Sequence, residues 1–163
     1  MTHELHRPVK AALIGPTGLD VTVEASPAEC AAMAQRMGIP GVLALSCRFR
    51  LEQAGGGKFL AHGHLLARVV RTCVVSLDDF ETDMDEAFRV WFVPQGEETE
   101  EIDPESDDEI PFADGVIDLG EATAEELALT LDPYPRMPGV TLPETGADPE
   151  ASPFARLAAL RRH

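Results

Sequence analysis

Four runs of alternating apolar and polar residues predict the strands of a sheet. In the clearest run, apolar residues occupy the odd positions 43–51 and polar residues occupy the even positions 46–52. This period of two is typical of an antiparallel strand that has one face in the core and one in water. The same alternation predicts strands over residues 19–25, 58–72 and about 80–93.

Capping signals predict the helices. Ser26, Pro27 and Glu29 form a capping box with proline at the first helical position, and Gly38 provides a stop, so a helix is expected over residues 27–37. A second capping box at residues 123–126 predicts a helix near 121–131. Ser152 and Pro153 predict a short terminal helix.

These elements predict a single α+β domain over residues 1–140. An antiparallel sheet, a meander of long strands, packs with the two short helices. Residues 95–109 hold nine carboxylates and little apolar surface, so they are expected to form a flexible, solvated loop. Residues 141–163 are interpreted as a linker that leads to the terminal helix.

Charge is strongly segregated along the chain. Residues 90–135, here called the acidic segment, contain fifteen Asp and Glu and no Lys or Arg, and the whole chain has a net charge of −16. Such a segment repels phosphate and anionic lipid, and it favours a basic protein surface as partner. The candidate protein-binding residues are Glu97, Glu98, Glu100, Glu101, Asp103, Glu105, Asp107, Asp108 and Glu109.

The predicted sheet offers an alternative, RNA-binding surface. Cations and one aromatic residue fall at positions that share a face of a meander, which suits contact with sugar-phosphate and stacking on a base. These candidates are Arg48, Arg50, His62, His64, Arg68, Arg89 and Trp91. Acidic residues such as Glu52 and Asp83 share this face and dilute its charge, so the acidic segment is the favoured binding surface.

Three stretches, residues 63–80, 117–136 and 153–161, together resemble the YceD family of large ribosomal RNA subunit accumulation proteins, in the form typical of alphaproteobacterial members. The resemblance implies a ribosome-assembly factor with no catalytic activity, acting on large-subunit (23S) rRNA. It also implies a ribosomal protein or pre-ribosomal particle as partner, with rRNA itself as the alternative. The residues that carry the resemblance include Cys73, Asp118, Leu119, Glu126, Leu127, Pro133 and Pro135.

Metal and catalytic chemistry are weakly indicated. Many members of that family carry Cys-x-x-Cys at the turn after the second long strand. In this chain Cys73 takes the first position and Ser76 replaces the second cysteine, and a serine hydroxyl is a poor zinc ligand. Cys73 is predicted to be a small buried side chain, although the neighbouring Arg71 would favour its thiolate. His62 and His64 lack a third metal ligand on their strand face. A small cysteine- or histidine-dependent enzyme is therefore the less favoured alternative, and neither a metal nor a small-molecule cofactor is expected.

The N-terminal residues lack the layout of a secretion signal, and no apolar run is long enough to span a bilayer. Three widely spaced cysteines fit reduced thiols better than a disulfide framework. We therefore expect a cytoplasmic protein without membrane contact.

Overall fold

The computed structural model describes residues 3–101 and 103–142. The elements follow in the order β1 (Pro8–Lys10), a 3-10 turn (Ala11–Leu13), β2 (Leu19–Glu24), α1 (Pro27–Met37), β3 (Gly41–Gln53), β4 (Phe59–Thr72), β5 (Asp79–Pro94), β6 (Asp108–Phe112), β7 (Val116–Asp118) and α2 (Leu119–Thr130). None of these helices has the length and hydropathy needed to cross a membrane. The predicted terminal helix lies outside the described residues.

The predicted α+β fold is confirmed. A five-stranded sheet has the order β2-β3-β4-β5-β6, and β1 pairs with β7 in a separate two-stranded sheet. Strands β2 to β5 pair antiparallel, as predicted, but β6 joins β5 in parallel, so the large sheet is mixed. Asp108 and Glu109, predicted to end the loop, instead begin β6 because their backbone pairs with Val90 and Trp91.

One side of the large sheet forms the core together with the helices. Alternation along β3 and β4 places Phe49, Leu51 and Leu65 in this core, where α1 adds Met33 and α2 adds Leu127. The register shifts between Val42 and Ala44, at the start of β3. This irregularity turns Val42 inward and leaves Leu43 52% exposed, so the prediction that Leu43 faces the core is wrong.

Helix α1 begins and ends as predicted, since Ser26 and Glu29 form a complete capping box and Gly38 adopts a left-handed conformation. The prediction for α2 is wrong at its start. The cap is Asp118, and Thr123 lies fully buried inside the helix, where its hydroxyl donates to the Leu119 carbonyl at 2.8 Å.

The first turn of α2 packs directly on the N-terminal segment. A Cβ at Gly120 would lie 2.5 Å from the Leu5 carbonyl oxygen, so only glycine permits this approach. The Leu119 amide donates to the Arg7 carbonyl at 3.0 Å, next to the β1–β7 pairing. The N-terminus therefore fixes where α2, and the acidic residues on it, lie.

Candidate functional site

The side of the large sheet that faces away from the helices, here called the open face, carries all the candidate RNA-binding residues. The register pairs Arg48 with His64, Arg50 with His62, and His62 with Arg89. The full set is Arg48, Arg50, His62, His64, Arg68, Arg89 and Trp91. The structure thus brings together residues that the sequence separates by more than 40 positions.

Most cations of the open face are already paired with carboxylates. Arg68 Nε lies 2.8 Å from an Asp83 oxygen, and Arg89 Nη2 lies 3.0 Å from an Asp107 oxygen. The other contacts are Arg50–Asp20, Arg50–Glu52, His62–Glu52 and His64–Asp85. Within the described residues, Arg48 is the one arginine of this face that makes no ion pair.

Carboxylates outnumber arginines on the open face. Four arginines share the face with seven carboxylates from β2, β3 and β5, namely Asp20, Glu24, Glu52, Asp79, Glu81, Asp83 and Asp85. With neutral histidines the face is therefore net negative, and a phosphate backbone would have to displace carboxylates from the arginines to bind there.

The exposed carboxylates of the acidic segment contrast with this pairing. Glu97, Glu98, Glu100, Glu101, Asp103, Glu105 and Asp108 are exposed and, among the described residues, make no ion pair. The other two candidates are held in place. Asp107 binds Arg89, and Glu109 accepts hydrogen bonds from the Thr99 amide and hydroxyl, both at 2.8 Å. These bonds lower the pKa of Glu109.

Helix α2 adds carboxylates of the acidic segment that are not among the nine candidate protein-binding residues. Glu121 binds Arg36 at 2.6 Å, a contact that lowers the pKa of Glu121. Glu125 and Glu126 make no ion pair in the described chain, and burial raises the pKa of both. The charge of Glu121 adds to the rise for Glu125, and that of Arg36 opposes it. For Glu126 the Thr130 hydroxyl opposes the rise, and the charge of Asp108 adds to it. The sequence does indicate repulsion at Glu125, because Glu121 and Glu125 form a like-charged i,i+4 pair on the helix.

The Cys73 turn is a structural junction. Cys73 is fully buried, as predicted, and its sulfur accepts hydrogen bonds from the backbone amides of Met137 at 3.4 Å and Ser76 at 3.5 Å. These donors, chiefly the Met137 amide, lower the pKa of the thiol to about 7. Arg71, the neighbour that would favour a thiolate, donates to the Asp132 carbonyl.

The other residues that carry the family resemblance mostly serve the fold. Asp118 caps α2 and also accepts a hydrogen bond from the Arg7 amide at 2.9 Å. Leu119 and Leu127 are fully buried in the core. Glu126 differs from them because it is half-buried and has no cationic partner in the described residues. Pro133 and Pro135 lie in the segment after α2, where the Pro135 carbonyl accepts from the Val74 amide at 2.9 Å.

A family model described as large ribosomal RNA subunit accumulation protein YceD matches residues 61–161. The match covers more than half of the chain and includes the Cys73 turn, β5, β6 and α2. No curated protein and no solved structure matches the chain.

Proposed function

Because the chain belongs to the YceD family of large ribosomal RNA subunit accumulation proteins, we propose that it is a ribosome-assembly factor that supports accumulation of large-subunit (23S) rRNA. It acts in the cytoplasm by binding, without catalysing a reaction. Its partner is a basic ribosomal protein, free or within a pre-ribosomal particle.

One observation supports this binding mode above the others. The exposed carboxylates at 97–105 have no ionic partner in the described chain, whereas most cations of the open face do. Ribosomal proteins that bind RNA carry basic surfaces, and such a surface is electrostatically complementary to uncompensated carboxylates. The acidic segment can therefore hold a basic protein until rRNA replaces it.

The test reverses charge on each surface separately. Changing Glu97, Glu98, Glu100 and Glu101 to Lys should weaken both binding to proteins extracted from large ribosomal subunits and co-sedimentation with pre-ribosomal particles. Changing Arg48, Arg50 and Arg68 to Glu should have little effect on either. Circular dichroism of both variants checks that they fold.

Direct rRNA binding by the open face is the second candidate. It is favoured by Arg48, which is exposed and has no ion pair within the described residues, and by half-buried Trp91 on the same face. If the arginine variant alone abolishes co-sedimentation with particles, this candidate replaces the protein-binding mode.

A cysteine- or histidine-dependent enzyme has less support. The hydrogen bonds to the Cys73 sulfur come from backbone amides, and His64 is paired with Asp85. The lowered pKa of Cys73 favours its thiolate, but the side chain is fully buried and its described contacts include no histidine that could act as a base.

A further inference from the structure

A cleft lies between α2 and the β5–β6 edge of the large sheet. Its volume is about 210 Å³, and its lining includes the apolar side chains of Phe88, Val90 and Ile110. Leu129 of α2 also lines the cleft and is 68% exposed. Leu129 is therefore the apolar part of the cleft that is open to a partner.

The same cleft is lined by Asp108, Glu125 and Glu126. None of the three has an ion-pair partner within residues 3–101 and 103–142. Asp108 also adds like-charge repulsion to both glutamates. Arg89 is part of the lining, but its guanidinium is bound to Asp107. A bound cation would relieve the repulsion among these carboxylates.

We propose that this cleft is the docking site for an arginine or lysine side chain from a basic protein segment. The inference rests on the proposed function and adds a second place in the acidic segment where the partner is recognised. The aliphatic stem of the incoming side chain covers Leu129 and Ile110, while its cationic head reaches the carboxylates. Arginine is the better occupant because its planar guanidinium can bind a carboxylate through two hydrogen bonds.

The size and charge of the cleft argue against a drug-sized small molecule and against a nucleic acid. Its volume lies below the range of about 300–1,000 Å³ that is typical of small-molecule pockets. The uncompensated carboxylates repel the phosphates of a nucleic acid. A single long cationic side chain fits both properties.

The test uses the full chain and a synthetic peptide of alternating arginine and leucine as the probe. A matched peptide with glutamate in place of arginine and a single-stranded RNA homopolymer are the control ligands. The cleft variant is Glu125→Gln with Glu126→Gln, and Leu129→Ala tests the apolar wall. The matched control is Glu24→Gln with Glu81→Gln, which removes two exposed carboxylate charges from the open face and none from the acidic segment.

The cleft variant should weaken binding of the arginine peptide by about tenfold or more, and the open-face control by less than about threefold. Leu129→Ala should also weaken binding. In NMR spectra of the labelled protein, the peptide should shift amide signals of residues 108–110 and 122–129. Equal losses in the two double variants, no peptide binding, or tighter binding of RNA than of the peptide would each overturn the inference.

Failure of this inference and failure of the proposed function give different results. If the charge reversals at residues 97–101 disrupt association with pre-ribosomal particles but the cleft variant binds the peptide normally, the assembly role stands and the cleft site is wrong. If the cleft variant loses the peptide but no acidic-segment variant changes association with particles, the assembly role is wrong.

Discussion

On the open face, Arg68 and Asp83 lie 2.8 Å apart, whereas Glu97 to Glu101 have no cation partner among the described residues. Both regions are rich in charge, but their charges serve different purposes. Cross-strand pairing lets the open face hold arginines and carboxylates at little net cost, and it occupies the arginines. Within the described residues, the carboxylates of the acidic segment at 97–105 have no ionic partner, which leaves them available to another molecule.

Helix α2 shows the same contrast over a single turn. Glu121 is bound to Arg36, and this contact lowers the pKa of Glu121. Glu125, one turn later, has a raised pKa, first because it is partly buried and next because Glu121 repels it. Whether a carboxylate stabilises the fold thus depends on its partners rather than on its position in the acidic segment.

The largest effect is expected where an acidic residue has the most partners. Burial opposes ionisation of Asp118, but hydrogen bonds from the Arg7 amide and His6 outweigh it and lower the pKa of Asp118. Asp118→Ala removes the cap of α2 and should lower the free energy of unfolding by about 1–2 kcal/mol, measured by urea denaturation. Asp118→Asn, which keeps a capping oxygen, should cost less. If Asp118→Ala left the free energy of unfolding unchanged, this would contradict the structural role of the carboxylate.

The effect of acid on stability should have opposite signs for carboxylates that have partners and for carboxylates that lack them. Hydrogen bonds from Arg7 lower the pKa of Glu29 to about 2. Ionised Glu29 therefore stabilises the fold above its unfolded pKa of about 4.5, and this contribution is lost as the pH falls towards 2. Glu29→Gln should be less stable than the parent at pH 7 and should approach it near pH 2.

The opposite sign is expected for Glu125 and Glu126, whose raised pKa values mean that their ionised forms are disfavoured in the folded state. Glu125→Gln with Glu126→Gln should be more stable than the parent at pH 7, and the difference should vanish as the pH falls below 4. Thermal unfolding followed by circular dichroism across this range measures both variants. A double variant that is less stable at pH 7 would mean that a hidden partner compensates these glutamates.

The sequence predicted strands β2 to β5, helix α1 and the shared face of the cationic residues, because strict alternation and a complete capping box are local signals. It could not predict β6, since Asp108–Phe112 lacks alternation and contains Pro111. It also placed the cap of α2 at Thr123, because a capping box is recognised locally, whereas Asp118 is selected by contacts with His6 and Arg7 far away in sequence.

The candidate site was predictable only in outline. Charge segregation identified the acidic segment, but which charges have partners depends on strand register and on the packing of α2. Arg89 and Asp107 meet because β5 and β6 are adjacent, although the sequence places them in a strand and a loop. The cleft beside Glu126 likewise exists only once α2 packs near β6.

Neutralising the loop should have a smaller effect on stability than the helix changes. Replacing Glu97, Glu98, Glu100 and Glu101 with Gln removes exposed charges without ionic partners in the described chain, so the free energy of unfolding should change by less than about 0.5 kcal/mol. Glu109→Gln is the comparison, because this carboxylate is held by Thr99. A large loss in the loop variant, measured by urea denaturation, would show that these glutamates hold the fold together.

The smallest expected effect tests whether the arginines of the open face are truly held by their carboxylate partners. A double-mutant cycle of Arg68→Met and Asp83→Asn should give a small favourable coupling at low salt, which disappears at high salt because both side chains are exposed. Arg48→Met on the same face, combined with Asp83→Asn, is the control and should show no coupling, because Arg48 lies opposite His64 rather than Arg68. If Arg68 and Asp83 also show none at low salt, the arginine is free for much of the time. The open face would then offer cations to phosphate, and the contrast with the acidic segment would no longer argue against direct binding of RNA.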